Sequence, residues 1–348
     1  MFQDYAVTSN PDDGPPRVAA LRNAMAAAGV DGFLVPRADA HQGEQVAPRD
    51  ARLAWLTGFT GSAGLAVILA DRAAMFVDGR YTLQVRAQCD AETFAFQQIP
   101  QDKPTDWAVG AMAEGMTLAF DPWLLTSKDV ETWEAALGPA GILFKPVSNL
   151  VDAIWDDQPS APMGPVVPHD AALAGRTHGE KREEIGAVLR EAGVQAAVLS
   201  LPDSICWLLN IRGSDIERVP IVQGFTIVHA SGAVDLFTDP GKLTDAAAAH
   251  LGDAVSISPP AVFGPSLRAL EGKIGVDKGS APVWVAQEIE AGAGEIHWMR
   301  DPCILPKAIK TEAELSGARL DFLGDPNGGG ALVDADLPLK RAERRPED

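Results

Sequence analysis

The sequence predicts an α/β protein built from two similar units in tandem, each containing a mixed β-sheet. Three observations lead to this class. Short apolar runs rich in β-branched residues alternate with segments whose apolar residues follow helical spacing. One order of elements occurs twice along the chain, and a proline-rich stretch lies between the two copies. With 46% apolar residues among 348, the chain has enough apolar side chains for two buried cores.

The first copy is organised around residues 54–81, which read A-W-L-T-G-F-T-G-S-A-G-L-A-V-I-L-A-D-R-A-A-M-F-V-D-G-R-Y. Residues 65–69 and 73–77 are apolar runs separated by a turn that contains a polar Asp-Arg pair, and this pattern predicts a β-hairpin. One helix is expected before the hairpin and another from near Arg80. Three glycines before the first strand allow tight turns and close backbone packing that a Cβ would block: Gly58, Gly61 and Gly64.

The second copy repeats this order. Residues 205–209 match the tryptophan-containing helix of the first copy, and residues 224–229 and 234–238 are the strands of a second hairpin. In both copies an upstream helix ends in Ala-Gly-Val and is followed by a short apolar strand, at 33–35 and at 197–199. A repeat of this length indicates that one architecture is used twice.

The remaining elements follow from apolar spacing and from start and stop signals. Further helices are predicted at residues 15–28, 81–89, 106–112, 127–137, 150–155, 181–191, 282–291 and 310–320. Further strands are predicted at 93–99, 117–120, 142–144 and 272–277, and a polar loop at 37–49. Ser127 is expected to cap its helix, and Thr311 and Glu314 stand at capping-box spacing.

Shifts in composition divide the chain into segments. Residues 158–170 belong to a stretch rich in proline, so we expect a linker there, between a first unit at 15–157 and a second unit at 171–305. Residues 1–14 are polar and are expected to form a disordered lead-in. Residues 321–348 contain a G-G-G run and few large apolar side chains, which predicts a short unstructured tail.

Charge and cysteine content exclude several classes of protein. The net charge of −19 argues against binding to nucleic acid or to an anionic membrane, because both need a basic face. The three cysteines are far apart, which fits a reducing cytoplasm better than a disulfide framework. The first residues lack the pattern of a signal peptide, and no apolar run has the length of a membrane helix. We therefore expect a cytoplasmic protein without a membrane partner.

The residues alone reveal no catalytic centre. No two of the six histidines stand at the i, i+3 or i+4 spacing of a zinc helix, and His169-Asp170 is the only neighbouring His-carboxylate pair. The three glycines precede a strand rather than a helix, so a phosphate cradle is not favoured. Ser62 and Ser204 lie outside any nucleophile elbow.

One alternative is an enzyme with an unrecognised site. Its best candidate residues are His41, Asp78 and Arg80. For Asp78 and Arg80, a structural cap at the end of the hairpin is the favoured interpretation.

Several colinear strings resemble the Xaa-Pro aminopeptidases (aminopeptidase P) in their longer, three-domain cytosolic form. These strings are W-L-T-G-F-T-G-S-A-G at 55–64, F-V-D-G-R-Y at 76–81, N-L-V-D-A-I-W at 149–155, D-S-I-C-W-L-L-N-I-R-G-S-D-I at 203–216, V-D-K-G-S-A-P at 276–282 and D-P-C-I-L-P-K-A-I-K at 301–310. The resemblance covers residues 17–320. It implies that the two units are creatinase-like N-terminal domains.

In that metallopeptidase family a third, C-terminal "pita-bread" domain binds two divalent metal ions, usually manganese, and a metal-bound hydroxide attacks the Xaa-Pro bond. The resemblance implies that residues 306–320 begin this domain and that it is truncated here, since none of its ligands can be matched to residues 321–348. We therefore assign no catalytic, metal-binding or substrate-binding residue and no cofactor. The chain is expected to be inactive by itself. Its expected partners are a second copy or a full-length paralogue, and the alternative function is a peptide- or protein-interaction module.

Overall fold

The computed structural model describes residues 9–323, and the first half of these residues forms one α/β unit, domain I. Its strands are β1 (Gly32–Pro36), β2 (Gly64–Leu69), β3 (Ala73–Asp78), β4 (Ala95–Ile99), β5 (Thr117–Phe120) and β6 (Leu143–Pro146). Its helices are α1 (Gly14–Ala28), α2 (Arg52–Thr57), α3 (Thr82–Gln88), α4 (Pro104–Ala111) and α5 (Ser127–Leu137). The six strands form one sheet in the order β4-β3-β2-β1-β5-β6.

The second half forms domain II. Its strands are β7 (Val167–Pro168), β8 (Ala196–Leu199), β9 (Ile211–Arg212), β10 (Phe225–His229), β11 (Val234–Phe237), β12 (Val255–Ser258), β13 (Glu271–Val276) and β14 (Ala293–Trp298). Its helices are α6 (Ala171–Ala174), α7 (His178–Glu191), α8 (Pro202–Leu209), α9 (Asp245–Leu251), α10 (Phe263–Arg268), α11 (Val283–Glu290), α12 (Ile304–Ala308) and α13 (Glu312–Leu323). The main sheet has the order β12-β11-β10-β8-β13-β14, and β7 pairs with β9 beside it.

The two six-stranded sheets share one topology. In domain I, β2 pairs antiparallel with β1 and β3, whereas the β3–β4, β1–β5 and β5–β6 pairs are parallel. In domain II, β10 pairs antiparallel with β8 and β11, and the β11–β12, β8–β13 and β13–β14 pairs are parallel. This agreement confirms the prediction of two tandem α/β units with mixed sheets.

Each sheet has a core on both of its faces. In β1, Phe33 and Val35 pack with the apolar side chains of α1 and α2, whereas Leu34 faces the opposite cluster with residues of α4 and α5. The helix positions that follow the predicted spacing in α1 are buried, among them Val18 and Leu21. Because helices cover both faces, the central strands consist of apolar runs without polar alternation.

The two domains also share a hydrogen-bonded turn at the carboxyl ends of their parallel strands. In domain I, the Asp121 carboxylate accepts hydrogen bonds from the backbone N of Trp123 (2.9 Å) and from the side-chain amide of Asn149 (2.8 Å). In domain II, the Asp277 carboxylate accepts from the backbone N of Gly279 (2.8 Å) and of Asp301 (2.9 Å). The repeat therefore extends from topology to individual polar contacts.

Several predicted details were wrong. Residues 150–155 form turns rather than a helix, because the Asn149 side chain accepts from the backbone N of Val151 (2.9 Å) and bends the chain there. Thr126, not Ser127, caps α5, since its hydroxyl and the Asp129 carboxylate form a capping box. The predicted box at Thr311 and Glu314 is confirmed by hydrogen bonds of 2.8 and 3.2 Å.

The ends of the predicted segments also differ from the structure. The predicted lead-in at 1–14 contains a 3-10 turn at Pro11–Asp13 that runs directly into α1, and residues 1–8 lie outside the described residues. The predicted linker at 158–170 includes β7, which is paired with domain II. The predicted tail at 321–348 begins inside α13, and residues 324–348 lie outside the described residues.

The glycine turn between α2 and β2 is confirmed as a steric requirement. Gly58 has a φ of +85°, and a Cβ built on it would lie 2.4 Å from the carbonyl oxygen of Gln88. A Cβ on Gly61 would lie 2.3 Å from the Phe59 ring. The turn can therefore pass beneath α3 only with glycine at these positions.

We predict that Gly58→Ala lowers the free energy of unfolding by about 2 kcal/mol or more, since it adds a left-handed penalty to a clash with backbone. The matched control is Gly110→Ala in α4, where a Cβ meets nothing within 4 Å. This control is expected to stabilise by up to about 1 kcal/mol. Urea unfolding measures both values, and equal effects of the two substitutions would contradict the steric role of Gly58.

Candidate binding cleft between the two domains

The loop between β1 and α2 attaches domain I to domain II. Within it, the Asp39 carboxylate accepts hydrogen bonds from the backbone N of His41 (2.9 Å) and Gly43 (3.1 Å), which fixes a tight turn. Its other oxygen accepts from Nε2 of Gln223 in domain II (3.1 Å). The sequence predicted this segment as a polar loop, but Asp39 and His41 are buried because they lie against the other domain.

His41 contacts domain II through both its ring face and one ring nitrogen. The ring stacks on Phe225 with a centroid distance of 4.6 Å, and Nδ1 lies 3.0 Å from the carbonyl oxygen of Ser200. A carbonyl oxygen only accepts, so Nδ1 carries a hydrogen, and in the neutral imidazole Nε2 then keeps its lone pair. This contact selects the tautomer of His41.

The segment after β5 forms a second connection between the domains. The rings of Trp123 and Trp284 stack at 3.8 Å with planes 20° apart. Beside this stack, the backbone N of Val283 donates to the carbonyl of Leu125 (2.8 Å), and that of Trp284 donates to the carbonyl of Pro122 (3.1 Å). Backbone bonds and aromatic packing therefore join α5 and α11 end to end.

The proline-rich segment between the domains is anchored at both ends. On the domain I side, Nε2 of Gln158 donates to the carbonyl of Arg49 (2.9 Å) and to Asp152 (2.9 Å). On the domain II side, the backbone N of Gly164 donates to Asp215 (3.1 Å). The intervening residues 161–163 run along the mouth of a cleft between the domains.

This cleft has a volume of about 840 Å³. One wall is aromatic and contains Trp123, Phe225, Phe237 and Trp284. The opposite end is charged: Arg52 donates twice to Asp152 (2.7 and 2.9 Å) and once to Asp50 (2.9 Å). At a third side, the buried Lys242 ammonium pairs with Asp215. A cavity of this size at a domain interface, apolar with a few directed polar groups, has the composition of a small-molecule site.

Burial changes the titration of two carboxylic acids in the cleft. It raises the pKa of Asp121, which hydrogen bonds to Trp123 and Asn149 offset only in part. Burial also raises the pKa of Asp50 despite the neighbouring Arg52, and the charge of Asp39 adds to that rise. The charged forms of both groups are therefore less stabilised in the cleft than in water.

The structure does not bring the three sequence-predicted candidates together. His41 lines the cleft, whereas Asp78 caps the turn after β3 by accepting from the backbone N of Arg80 (2.9 Å) and pairing with its guanidinium. The interpretation of Asp78 and Arg80 as a structural cap is confirmed. Ser62 shares a hydrogen bond with Tyr81 (2.7 Å), and Ser204 is buried beside Asp301.

Sequence reasoning missed most of the cleft residues. Trp123, Phe225 and Trp284 looked like core residues, and Gln223 carried no pattern at all. One signal was present: Asp121 directly follows a buried strand, at the sheet edge where α/β sites lie.

A second cavity in domain II brings together three histidines that are distant in sequence. His169, His178 and His250 line a volume of about 660 Å³, and the rings of His178 and His250 are 4.7 Å apart. Nδ1 of His178 lies 3.3 Å from Nε of Arg182, and Nε2 of His250 lies 2.9 Å from the carbonyl of Leu209. Protein groups therefore contact one ring nitrogen of His178 and one of His250.

Two of these histidines, His169 and His178, make stability depend on pH. Burial lowers the pKa of His178 below its ordinary value of 6.5, and His250 and Arg182 lower it further. Burial and the charges of Arg212 and Lys181 also lower the pKa of His169. As the pH falls below 6.5, the unfolded chain binds more protons than the folded chain, so the free energy of unfolding decreases.

We predict that urea unfolding at a series of pH values shows this loss of stability below pH 6.5, and that His178→Gln makes the dependence shallower. The matched control is His297→Gln on β14, which does not line this cavity. Identical pH profiles for the wild-type chain and His178→Gln would contradict the prediction.

The described residues do not fit the dimetal centre that the resemblance implies. Within residues 9–323, no three or more His, Cys, Asp or Glu side chains are arranged to hold a metal ion. The three cysteines are buried, free thiols; burial raises the pKa of Cys89 to about 12 and of Cys206 to about 11, and that of Cys303 well above its usual value.

No helix within residues 9–323 has the length and apolar character to span a bilayer.

Comparison with known proteins identifies both domains. Two sequence profiles, each described as "Creatinase/Prolidase N-terminal domain", match residues 17–154 and 157–314. A probable Xaa-Pro aminopeptidase P from Coccidioides posadasii is 33% identical over 343 residues, covering 95% of this chain and 52% of the relative. The protein of the same description from Leptosphaeria maculans is 34% identical over 326 residues, covering 90% and 53%.

A solved structure supports the same relationship. The X-prolyl aminopeptidase from Caenorhabditis elegans, described as a cytosolic enzyme with a di-nuclear active site, superimposes with a TM-score of 0.82 at 28% identity. The match covers 89% of this chain and 54% of that structure, so the chain spans about half the length of the relatives it matches. The chain therefore belongs to the creatinase/prolidase N-terminal domain family, with two such domains in tandem.

Proposed function

We propose that residues 9–323 act as the N-terminal, non-catalytic part of an Xaa-Pro aminopeptidase-type metallopeptidase, whose reaction removes the amino-terminal residue that precedes proline. The observation that carries the proposal is the match of both domains, in tandem and at TM-score 0.82, to about half of a di-nuclear X-prolyl aminopeptidase. The described domains then supply a rigid platform, and they do not hydrolyse peptides by themselves. We place the chain in the cytoplasm by analogy with that cytosolic relative.

The states of the potential nucleophiles in these domains support this proposal. The cysteine thiols are buried and held protonated by their surroundings. Burial lowers the pKa of Lys181 to about 8, but its ammonium is buried and donates to the carbonyl of Trp207 (3.0 Å) and to Oδ1 of Asn210 (2.7 Å). These bonds hold Lys181 at the carboxyl end of α8, where a cation stabilises the helix.

We predict that the purified chain, supplied with Mn²⁺ and the peptide Arg-Pro-Pro, releases arginine no faster than a mock preparation. The physical reason is that the described residues hold no group able to bind the two metals the reaction needs. Metal analysis after dialysis is expected to find less than one bound manganese per chain.

The variant His41→Asn tests whether any turnover arises at His41 in the cleft, because a contaminating peptidase is unaffected by it. Turnover that co-elutes with the chain and changes in the variant would overturn the proposal. Manganese retained at two ions per chain would do the same.

A second candidate function is an oligomerisation or interaction module. Three large apolar side chains are exposed near the last helices: Leu173 at 61%, Leu305 at 65% and Ile309 at 66%. The Thr311 hydroxyl donates a hydrogen bond to the carbonyl oxygen of Ala174 (3.2 Å). This bond holds the segments that carry the three apolar side chains close together. Clustered apolar surface favours association, here with a second copy of the chain.

We predict that sedimentation velocity shows self-association that rises with concentration and is reduced at least twofold by Ile309→Glu, which places a charge in the apolar contact. The control is Leu83→Glu, on α3 of domain I, where the leucine is 83% exposed. A clean monomer at high concentration would contradict this candidate. If the chain binds only to a full-length relative and not to itself, the partner is that relative rather than a second copy.

A further inference from the structure

The interdomain cleft contains a hydrogen-bond acceptor without a protein partner. His41 is 8% exposed, and its Nδ1 hydrogen points to the carbonyl of Ser200. The two ring nitrogens point away from each other, so in the neutral imidazole Nε2 presents its lone pair away from Ser200. Among the described residues no hydrogen bond to Nε2 is formed, while the residue lines the cavity. A buried imidazole oriented by a backbone carbonyl in this way is prepared to accept from a donor in the cavity.

The same cavity contains carboxylates that form no ion pair with a described residue. Asp121 is 6% exposed and receives only neutral donors, the backbone N of Trp123 and the amide of Asn149. Asp239 also lines the cavity, and neither carboxylate forms an ion pair with a described residue. The three cations that line the cavity face other carboxylates: Arg49 lies 4.0 Å from Asp50, Arg52 pairs with Asp50 and Asp152, and Lys242 pairs with Asp215. Asp121 and Asp239 are therefore the lining carboxylates left for a bound cation.

The aromatic wall adds a surface suited to the same ligand. Trp123 and Trp284 are stacked and half-buried, and Phe225 packs against Trp123 with a centroid distance of 5.4 Å. Aromatic faces attract cations through the ring quadrupole and also bind apolar stems. The whole chain carries a net charge of −19, which favours the approach of a cation.

We infer that the cleft between the domains binds a small organic cation that carries a primary ammonium group on an apolar stem. The ammonium donates to Nε2 of His41 and lies near Asp121, and the stem packs on the Trp123–Trp284 wall. A primary ammonium fits better than a quaternary one, because only the former has hydrogens to donate. This site is independent of peptide hydrolysis.

The test uses 1,5-diaminopentane as the probe and the purified chain, followed by isothermal titration calorimetry and tryptophan fluorescence. Saturable binding of one diamine per chain is expected. Pentane-1,5-diol, which has the same length without charge, and tetramethylammonium, which has charge without N–H groups, are expected to bind at least tenfold more weakly. Absence of saturable diamine binding, or equal binding of the diol, would overturn the inference.

The internal repeat supplies a matched pair of variants. Asp121→Asn and Asp277→Asn disturb the same turn in the two domains, but only Asp121 lines the cleft. Asp121→Asn is expected to weaken diamine binding at least tenfold and Asp277→Asn less than twofold. Equal effects of the two substitutions would show that the charge of Asp121 plays no part.

A second pair addresses the histidine. His41→Asn keeps a donor near the Nδ1 position and removes the Nε2 acceptor, so it is expected to weaken binding at least tenfold, whereas His297→Asn is expected to have no effect. The ¹⁵N resonance of Nε2 of His41 in the wild-type chain gives a readout that needs no variant. It is expected to shift on saturation with the diamine, and an unchanged resonance would overturn the inference.

The same ammonium chemistry occurs in free amines, at peptide amino termini and in lysine side chains. Three probes distinguish these sources: 1,5-diaminopentane, Ala-Ala amide and Nα-acetyl-lysine methylamide. Whichever of the two peptide-like probes competes more strongly with the diamine identifies the ligand as a peptide amino terminus or a lysine side chain. If neither of the other two probes competes, the ligand is a free amine.

Discussion

The hydrogen bond between Asp39 and Gln223 joins the loop after β1 of domain I to domain II, beside the cleft. Both partners are already held in place: Asp39 by the turn that it forms with His41 and Gly43, and Gln223 by its backbone contacts with Asp215 and Lys242. A hydrogen bond between groups that are fixed beforehand loses little conformational entropy when it forms. The buried Lys242–Asp215 pair therefore contributes to this contact indirectly, because it positions Gln223, to which the loop of domain I binds.

The same interface breaks the symmetry of the repeat. Domain I and domain II share strand order, strand direction and the aspartate turn that follows β5 and β13. In domain II, β8 passes almost directly into α8, whereas in domain I residues 37–51 separate β1 from α2. This longer loop carries Asp39 and His41, so the insertion is what turns two copies of one fold into a pair with a defined contact.

The cleft is a consequence of this arrangement. The Asp39 loop, the Trp123–Trp284 stack and the anchored segment at 158–164 contact both domains at separate points, and the space between those points stays open. Its polar groups come from both domains, and so does its aromatic wall. Neither domain alone contains the site, which explains why a binding function here needs the tandem.

The amino-acid sequence by itself determined the fold class, the repeat and the steric role of Gly58. These features depend on local spacing, on neighbouring residues and on strings long enough to match between the two copies. It also led to the structural role of Asp78, because a cap involves residues two positions apart.

Only the tertiary structure decided which residues form the cleft. His41, Asp121, Gln223 and Trp284 are separated by up to 243 positions, the span from 41 to 284, and no local pattern relates them. The same holds for the cavity of His169, His178 and His250, which the spacing of histidines along the chain did not reveal. Burial explains the remaining difference: a polar loop or a tryptophan has the same sequence signature on a surface, in a core or at a domain interface, and packing alone selects among these environments.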